Sequence, residues 1–289
     1  MKRRIAYLII DGKQIGDEKH SLQIQFNITY QGNTQIPLET VFVVDNLRKE
    51  DIYYITTNTS YFQDEMSAPK KKIEFWCGYE GNVRKLFDGR IRKAYPTGQP
   101  DTSLYIYAMS ASSFIPEQVT AQFDNITFYE LLKDYERRSL ISVIISESLR
   151  YDSRLQTMLP TYSFNGTIDN YYKQLVSDIT GNAFVKGQLN FIKDGAIVYV
   201  CKQDAKNTEL PIIPINSHTG MIGIPEPTAA GVDLRVLLDT SIRAGMTIRL
   251  ESKMLPKYNG EYNVNNVTYN GSTRGKEFYT DLHCTRVLI

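Results

Sequence analysis

The sequence predicts a mainly β chain with an α+β insert: two similar small β-barrels flanking two small helix-plus-strand units. Three observations carry this prediction. Apolar and polar residues alternate with period 2 near both ends, around 73–108 and 246–284. Between these stretches, apolar residues twice recur at i, i+3, i+4 and i+7, the spacing of one helical face. The two β stretches also share a layout of strands and glycine-bearing loops. The expected domains are 1–115 (N-terminal β-barrel), 116–205 (tandem α+β units) and 206–289 (C-terminal β-barrel).

The start, Met1-Lys-Arg-Arg-Ile5-Ala-Tyr-Leu-Ile-Ile10-Asp11-Gly12, has the charge and apolarity of a secretion signal. Its apolar run is only six residues long and no small-residue cleavage site follows, so a first strand closed by an Asp-Gly turn is expected instead. Ile73, Phe75 and Cys77 alternate with Glu74, Trp76 and Gly78, the pattern of a half-buried strand. Gly78-Tyr-Glu-Gly81-Asn82 turns the chain, and Leu86-Phe-Asp-Gly-Arg-Ile91 runs back. The loop Pro96–Asp101 precedes Leu104, Ile106 and Ala108, alternating again. The polar stretch from Asn58 to Lys72, with Pro69, reads as an exposed loop, and Lys70–Lys72 as a solvated edge.

In the middle, Thr127-Phe-Tyr-Glu130 is a capping box, in which hydroxyl and carboxylate satisfy the amides left free at a helix start. Phe128, Leu131, Leu132 and Tyr135 form the helical face behind it, and the β-branched run Ile141–Ile145 follows. Phe164-Asn-Gly-Thr167 then leads into Ile168, Tyr171, Tyr172, Leu175 and Ile179, with Gly181 placed to end the helix. Strands are expected at Ala183–Val185, Leu189–Ile192 and Ala196–Cys201. In the last stretch Met246, Ile248 and Leu250 alternate, Asn259-Gly260 reads as a hairpin turn, and Phe278, Thr280, Leu282 and Cys284 alternate to the end.

The internal repeat pairs Ile91 with Val264, Ala94 with Val267, and Leu104 with Phe278, with one extra residue in the second loop. Trp76, out of phase with Phe75 and Cys77, should face away from the barrel core.

Lys+Arg 33 against Asp+Glu 32 leaves a net charge of +1, which argues against tracking nucleic-acid phosphates, though a local patch would escape this count. Tyr (20) and Phe (12) outnumber the single Trp76, a composition suited to strands and wet interfaces. No apolar stretch is long enough to span a bilayer. Cys77, Cys201 and Cys284 are far apart and odd in number, which fits buried reduced thiols rather than a disulfide framework or zinc site. The Asn58 and Asn270 sequons read as chance in an Asn-rich chain, and assembly in the cytosol is expected.

The segment Thr219-Gly-Met-Ile-Gly-Ile-Pro225-Glu-Pro-Thr-Ala-Ala-Gly231, continuing through Leu238 to Gly245-Met-Thr-Ile, resembles the hub proteins of contractile-tailed phages. So do the closing run from Asn259-Gly-Glu-Tyr-Asn-Val264 to Thr280, and Gly78-Tyr-Glu-Gly81 with Leu86–Ile91. The resemblance is spread over most of the chain. It implies a homotrimer in which two barrels per chain make a ring of six similar domains, joining a sixfold tail tube to a threefold central spike, as in T4-like hubs and type VI secretion spikes. Tube protein, spike protein, tape measure and baseplate wedge are the partners it implies, with the tail baseplate of the virion as location. The lysozyme domain of some relatives is not expected here, and the second barrel is expected to run to the end of the sequence. No membrane and no sequence-specific nucleic acid belong to this reading.

No catalytic, cofactor-binding or metal-binding residue is assigned. His20, His218 and His283 share no ligand spacing. Ser217-His218 lacks a nucleophile elbow, and Gly271-Ser-Thr-Arg-Gly275 lacks a phosphate-loop ending, so both read as loops. Glu50-Asp51 could serve a glycan-cleaving pair but reads as a solvated loop. Two rival classes are a tail-associated peptidoglycan hydrolase and a distal-tail or receptor-binding module. The first would clear cell-wall substrate. The second would bind glycan or the cell surface and lack paired barrels.

Overall fold

The computed structural model describes residues 2–31, 39–57, 70–98, 102–110, 118–139, 141–181, 189–194, 197–202, 206 and 210–287. The N-terminal part holds β1 (Arg4–Ile10), β2 (Lys13–Ile15), β3 (Gln23–Gln31), β4 (Glu39–Asp45), α1 (Lys49–Thr56), β5 (Lys72–Tyr79), β6 (Asn82–Thr97) and β7 (Ser103–Ser110). The insert holds β8 (Gln118–Thr127), α2 (Phe128–Ser139), β9 (Ser142–Ile145), β10 (Met158–Thr167), α3 (Ile168–Thr180), β11 (Leu189–Asp194) and β12 (Ile197–Lys202). The C-terminal part holds β13 (Ile213–Ile215), β14 (Met221–Pro227), β15 (Gly231–Leu237), β16 (Thr247–Leu250), β17 (Gly260–Ser272) and β18 (Phe278–Arg286).

The fold class is as the alternation predicts, mainly β with a helical insert, but the two β parts are not separate closed barrels. They share one 13-stranded sheet, ordered β14-β15-β18-β17-β3-β4-β7-β6-β5-β1-β2, with β13 and β16 beside β17. The first half curls until Leu22, just before β3, donates to the Ala6 carbonyl of β1 (2.9 Å). Pairing β3 with β17 joins the halves, because β3 has one edge for β4 and another for the second half. A common core, from Leu8 and Phe75 to Val264 and Leu282, runs under the whole sheet.

The internal repeat is legible in the pairing registers. β3-β4-β7-β6-β5 and β14-β15-β18-β17-β16 have the same strand order, and each run is antiparallel throughout. β6 is bulged between Ile91 and Lys93, and β17 between Val264 and Asn266. Each bulge admits one extra residue and re-aims the strand, and here it falls at the same point of the repeat. Just before it, the Ile91 amide donates to Lys71 O and the Val264 amide to Met246 O, both 2.9 Å. Ala94 faces Ile106 as Val267 faces Leu282. The expected pair of Leu104 with Phe278 is corrected: Leu104 faces Pro96, the counterpart of Tyr269, which faces Thr280. The second hairpin therefore absorbs three extra residues rather than one. A two-residue slip keeps the same face, so the alternation could not expose it. The repeat stops at the sixth strand, since β1 runs antiparallel to β5 but β13 parallel to β16.

Other departures are local. The stretch expected to be all strand contains α1, whose first turn carries Glu50 and Asp51 and whose Ile55 is fully buried, so those acids lie on a helix rather than a loop. Two turns of helix leave too short a pattern to separate from a strand. Asn259-Gly260 does not close a tight hairpin. It ends a longer loop after β16, and Asn259 Oδ1 accepts from the Ser252 amide (2.7 Å). Lys71 is less solvated than expected, lying over the Tyr54 ring (4.2 Å). Trp76 does face out of the core, stacked on Tyr7 with ring centroids 6.0 Å apart. The expected strand at 183–185, the loop at 58–69 and the divisions near 115 and 205 lie outside the described residues.

The insert is itself a tandem pair. Thr127 and Thr167 stand 40 residues apart, each ending a ten-residue strand and opening a helix. Thr127 Oγ1 accepts from the Glu130 amide while the Glu130 carboxylate accepts from the Thr127 amide, the expected capping box. Thr167 caps α3 through the Asn170 amide. β8 and β10 pair antiparallel end to end, so the two units face each other across a local twofold arrangement. The helix faces bury Leu131, Leu132, Tyr135, Tyr171, Tyr172 and Leu175. Beneath them lies the sheet β11-β12-β9. Its Phe191 and Val200 face the helices, while Ile192 and Cys201 join the main core. No helix among the described residues is long and apolar enough to cross a membrane.

Burial settles the state of the thiols. Cys77, Cys201 and Cys284 are buried and unpaired. Burial pushes Cys77 and Cys284 far above the usual thiol range, and Cys201 up to about 12. The thiolate is the reactive form, so native protein at about pH 8 should consume no disulfide reagent, and denaturant should release all three thiols. Fast reaction of native protein would contradict this.

Asp152 offers a pH test. Hydrogen bonds from Arg154 (2.8 Å), and then the nearby Lys202, hold its carboxyl down at about 2. A depressed folded-state pKa means the contribution is present above the unfolded value and is lost as pH falls from about 4 to about 2. Asp152→Asn should cost about 1–2 kcal/mol near neutrality, screening included, and only a small fraction of that near pH 2, where the carboxyl is half protonated. Urea titrations at both pH values measure the difference.

Candidate functional site: the seam between the halves

The seam is built on seven residue pairs, from Gln25 opposite Ser272 to Gln31 opposite Asn266. On its outer face, Asn27 Nδ2 donates to Asn270 Oδ1 (2.5 Å) and the Thr29 and Thr268 hydroxyls meet at 3.0 Å. These cross-strand pairs fix the register on the side where no apolar pattern does. The Asn270 sequon is thus engaged in the sheet.

On the inner face the seam is aromatic. Phe26 lies 4.8 Å from the Phe75 ring and 6.2 Å from Phe278, and Tyr79 lies 5.3 Å from Phe278. Gly271 stands where a Cβ would come within 2.2 Å of the Phe26 ring, so the absence of a side chain is what seats Phe26. The loop after it is pinned from the other half. Arg4 donates to the carbonyls of Ser272 (3.0 Å) and Gly275 (2.6 Å), with its guanidinium 4.8 Å over Phe278. Thr273 donates its amide to Ile24 O (3.1 Å) and its hydroxyl to Leu22 O (2.8 Å). The hairpin loop expected at Gly271–Gly275 begins later, since Gly271 and Ser272 still belong to β17; its function as a clasp was not legible in the sequence, because Arg4 is 271 residues away from Gly275.

The outer faces of the two halves differ in chemistry. Over β4, β6 and β7 lie Val41, Val43, Tyr95, Tyr105 and Tyr107, with Tyr95 stacked on Tyr105 (5.8 Å) and Lys93 over Tyr107 (4.1 Å). Over β15 and β18 lie an ion pair, Arg235 with Asp281 (2.6 Å), and a hydrogen-bonded pair, His283 with Asp233 (2.5 Å).

A family model described as baseplate hub gp41 matches residues 6–284. The chain belongs to the baseplate hub gp41 family. No curated protein sequence matches it. Its fold is similar to a tail protein from Neisseria meningitidis MC58 (9% identity, TM-score 0.59, covering 98% of this chain and 97% of that one). The 43 kDa tail protein of prophage MuSo2 from Shewanella oneidensis is comparable (8% identity, TM-score 0.59, 99% and 97% covered). So is the E. coli c3393 protein, described as a component of the type VI secretion system with structural similarity to the T4 tail proteins gp27 and gp5 (12% identity, TM-score 0.60, 97% and 77% covered).

Within this baseplate hub family member, the candidate chemical groups do not converge. Among the described residues no three His, Cys, Asp or Glu side chains are grouped to hold a metal ion. His20 pairs with Asp17 (3.1 Å) at an exposed turn. His218 lies in the turn organised by Asn216, whose Oδ1 accepts from the His218 amide (2.9 Å). Asp51 bonds Lys13 (2.8 Å).

The seam makes a sharp prediction. Gly271→Val should destabilise the chain by about 1–3 kcal/mol through overpacking against Phe26. Phe26→Ala in the same chain should recover part of that loss, because both changes act on one contact. Chemical denaturation of the single and double variants measures it; additive losses would contradict the seating.

Proposed function

We propose that this chain is the structural hub of a phage tail baseplate, a homotrimeric ring that adapts a sixfold tail tube to a threefold central spike and catalyses nothing. The observation carrying this is the duplicated five-strand unit, with the same order, direction and bulge position in both halves. Three chains with two similar units each offer six similar surfaces to a tube, while their differing outer faces keep the assembly threefold. The insert, at 116–205, would then lie beside the ring between the two β domains at 1–115 and 206–289. Tube and spike are the direct neighbours on this reading, with tape measure and wedge proteins next to them. The chain assembles in the host cytoplasm and resides in the virion tail. A receptor-binding module would not need the duplication, and a hydrolase would need carboxylates converging in a cleft.

Imaging of the intact tail tests the reading. Three copies in one ring between tube and spike are expected, and a dimeric or sixfold ring of this chain would refute it. Purified chain should also leave peptidoglycan intact; lysis abolished by a single carboxylate substitution would overturn the non-enzymatic assignment.

A further inference from the structure

We propose that the exposed edge of β14 is the surface on which a second copy of this chain docks, beside the end of its β6, so that the junction between copies repeats the seam within each copy. The inference rests on the hub reading above and deepens it by naming the edges that meet.

The registers supply the argument. β14 occupies in the second half the place of β3 in the first, and β6 the place of β17. Within the chain, β3 takes β17 along its free edge. Among the described residues the equivalent edge of β14 ends the sheet. On and beside that edge stand Ile222 (39% exposed), Ile224 (53%) and Leu237 (48%), an apolar group where an isolated protein would place charge. The other partner surface is exposed as well: Tyr95 is 40% exposed near the end of β6, and β5 pairs with β6 only as far as Arg90.

Register fixes which residues meet. Asn27 lies opposite Val41 on β4, and Glu226 lies opposite Asp233, the counterpart of Val41, on β15. Glu226 is therefore the counterpart of Asn27. Thr97 is the counterpart of Asn270, counted from the matching bulges. Since Asn27 faces Asn270 across the seam, Glu226 of one copy should face Thr97 of the next. Repeating one relation head to tail makes a heterologous contact, which closes into a ring when the rotation permits.

The junction between copies differs from the inner seam in strength. Pro225 and Pro227 on β14, and Pro96 on β6, lack amide donors, and β14 bulges between Ile222 and Glu226. Fewer backbone bonds can form there, so the side chains of Ile222, Ile224 and Tyr95 hold the contact. Such an edge resists unspecific strand addition before the correct partner arrives.

The test is a Thr97→Cys, Glu226→Cys double variant in assembled baseplates, oxidised or treated with a short bismaleimide. The native thiols are buried and do not compete. Six strands separate β14 from β6 within one chain, and a link between copies is read as a covalent dimer or trimer, which an internal link would not give. Covalent dimers and trimers, absent from either single variant, are expected. A trimeric ring that yields no such link would overturn this junction while leaving the hub reading intact; any other ring symmetry would remove both. Ile224→Asp, at an exposed site, should keep the melting temperature of the isolated chain and weaken its incorporation into baseplates at least tenfold. Unchanged incorporation would also overturn the proposal.

Discussion

The pairing of β3 with β17 is the constraint on which the rest of the architecture depends. It joins strands about 240 residues apart, as the Asn27–Asn270 bond illustrates, and it turns two curled half-sheets into one. β17 can serve both neighbours because it changes partner along its length: Gly260–Asn263 pairs with β16, and Asn266–Ser272 pairs with β3. The bulge at Asn265 lies between these two segments. A straight strand would carry the β16 pairing onward; a bulge bends it and frees the edge for β3. The Gly271–Phe26 contact and the Arg4 clasp then lock the far end of the same strand.

The two halves share backbone and core but not surface. Inward positions are apolar in both, Phe42 and Ile106 in one and Leu234 and Leu282 in the other. Outward positions have diverged into tyrosines and valines on one side and polar and charged pairs on the other. Core burial is about volume and patterning and so preserves the repeat, whereas outward residues answer to whatever lies against them. One backbone used twice with two surfaces is the physical form that the proposed match between sixfold and threefold neighbours would require.

How much of this was legible in the sequence follows from the range of each signal. Period-2 alternation located β5, β7 and β18, and the capping box at Thr127 located α2 almost to the residue, because both patterns are local. The bulges were visible in effect, since Ile91 with Ala94 and Val264 with Val267 are three apart where a plain strand would keep an even spacing on one face. The slip of Leu104 against Thr280 was hidden, since alternation is blind to a shift of two. α1 was missed because two turns give too few apolar positions. The seam was illegible: nothing near Gly271 in the sequence names Phe26 or Arg4 as its partners.

The contrast between the two edges completes the physical account. β3 carries no proline among the residues that pair with β17, and its ladder is continuous over seven pairs. β14, its counterpart, carries two prolines and a bulge. An edge destined to be covered as the chain itself folds can be a full template for pairing, because intramolecular closure competes well with wrong partners. An edge left open until other molecules arrive is hazardous in that form, since any extended segment could add to it. On the proposed junction, a blunted backbone would leave recognition to the exposed Ile222 and Ile224, exchanging unspecific affinity for selectivity. The asymmetry between otherwise matching strands is what a folding seam and the proposed assembly seam, built from one repeated unit, would each require.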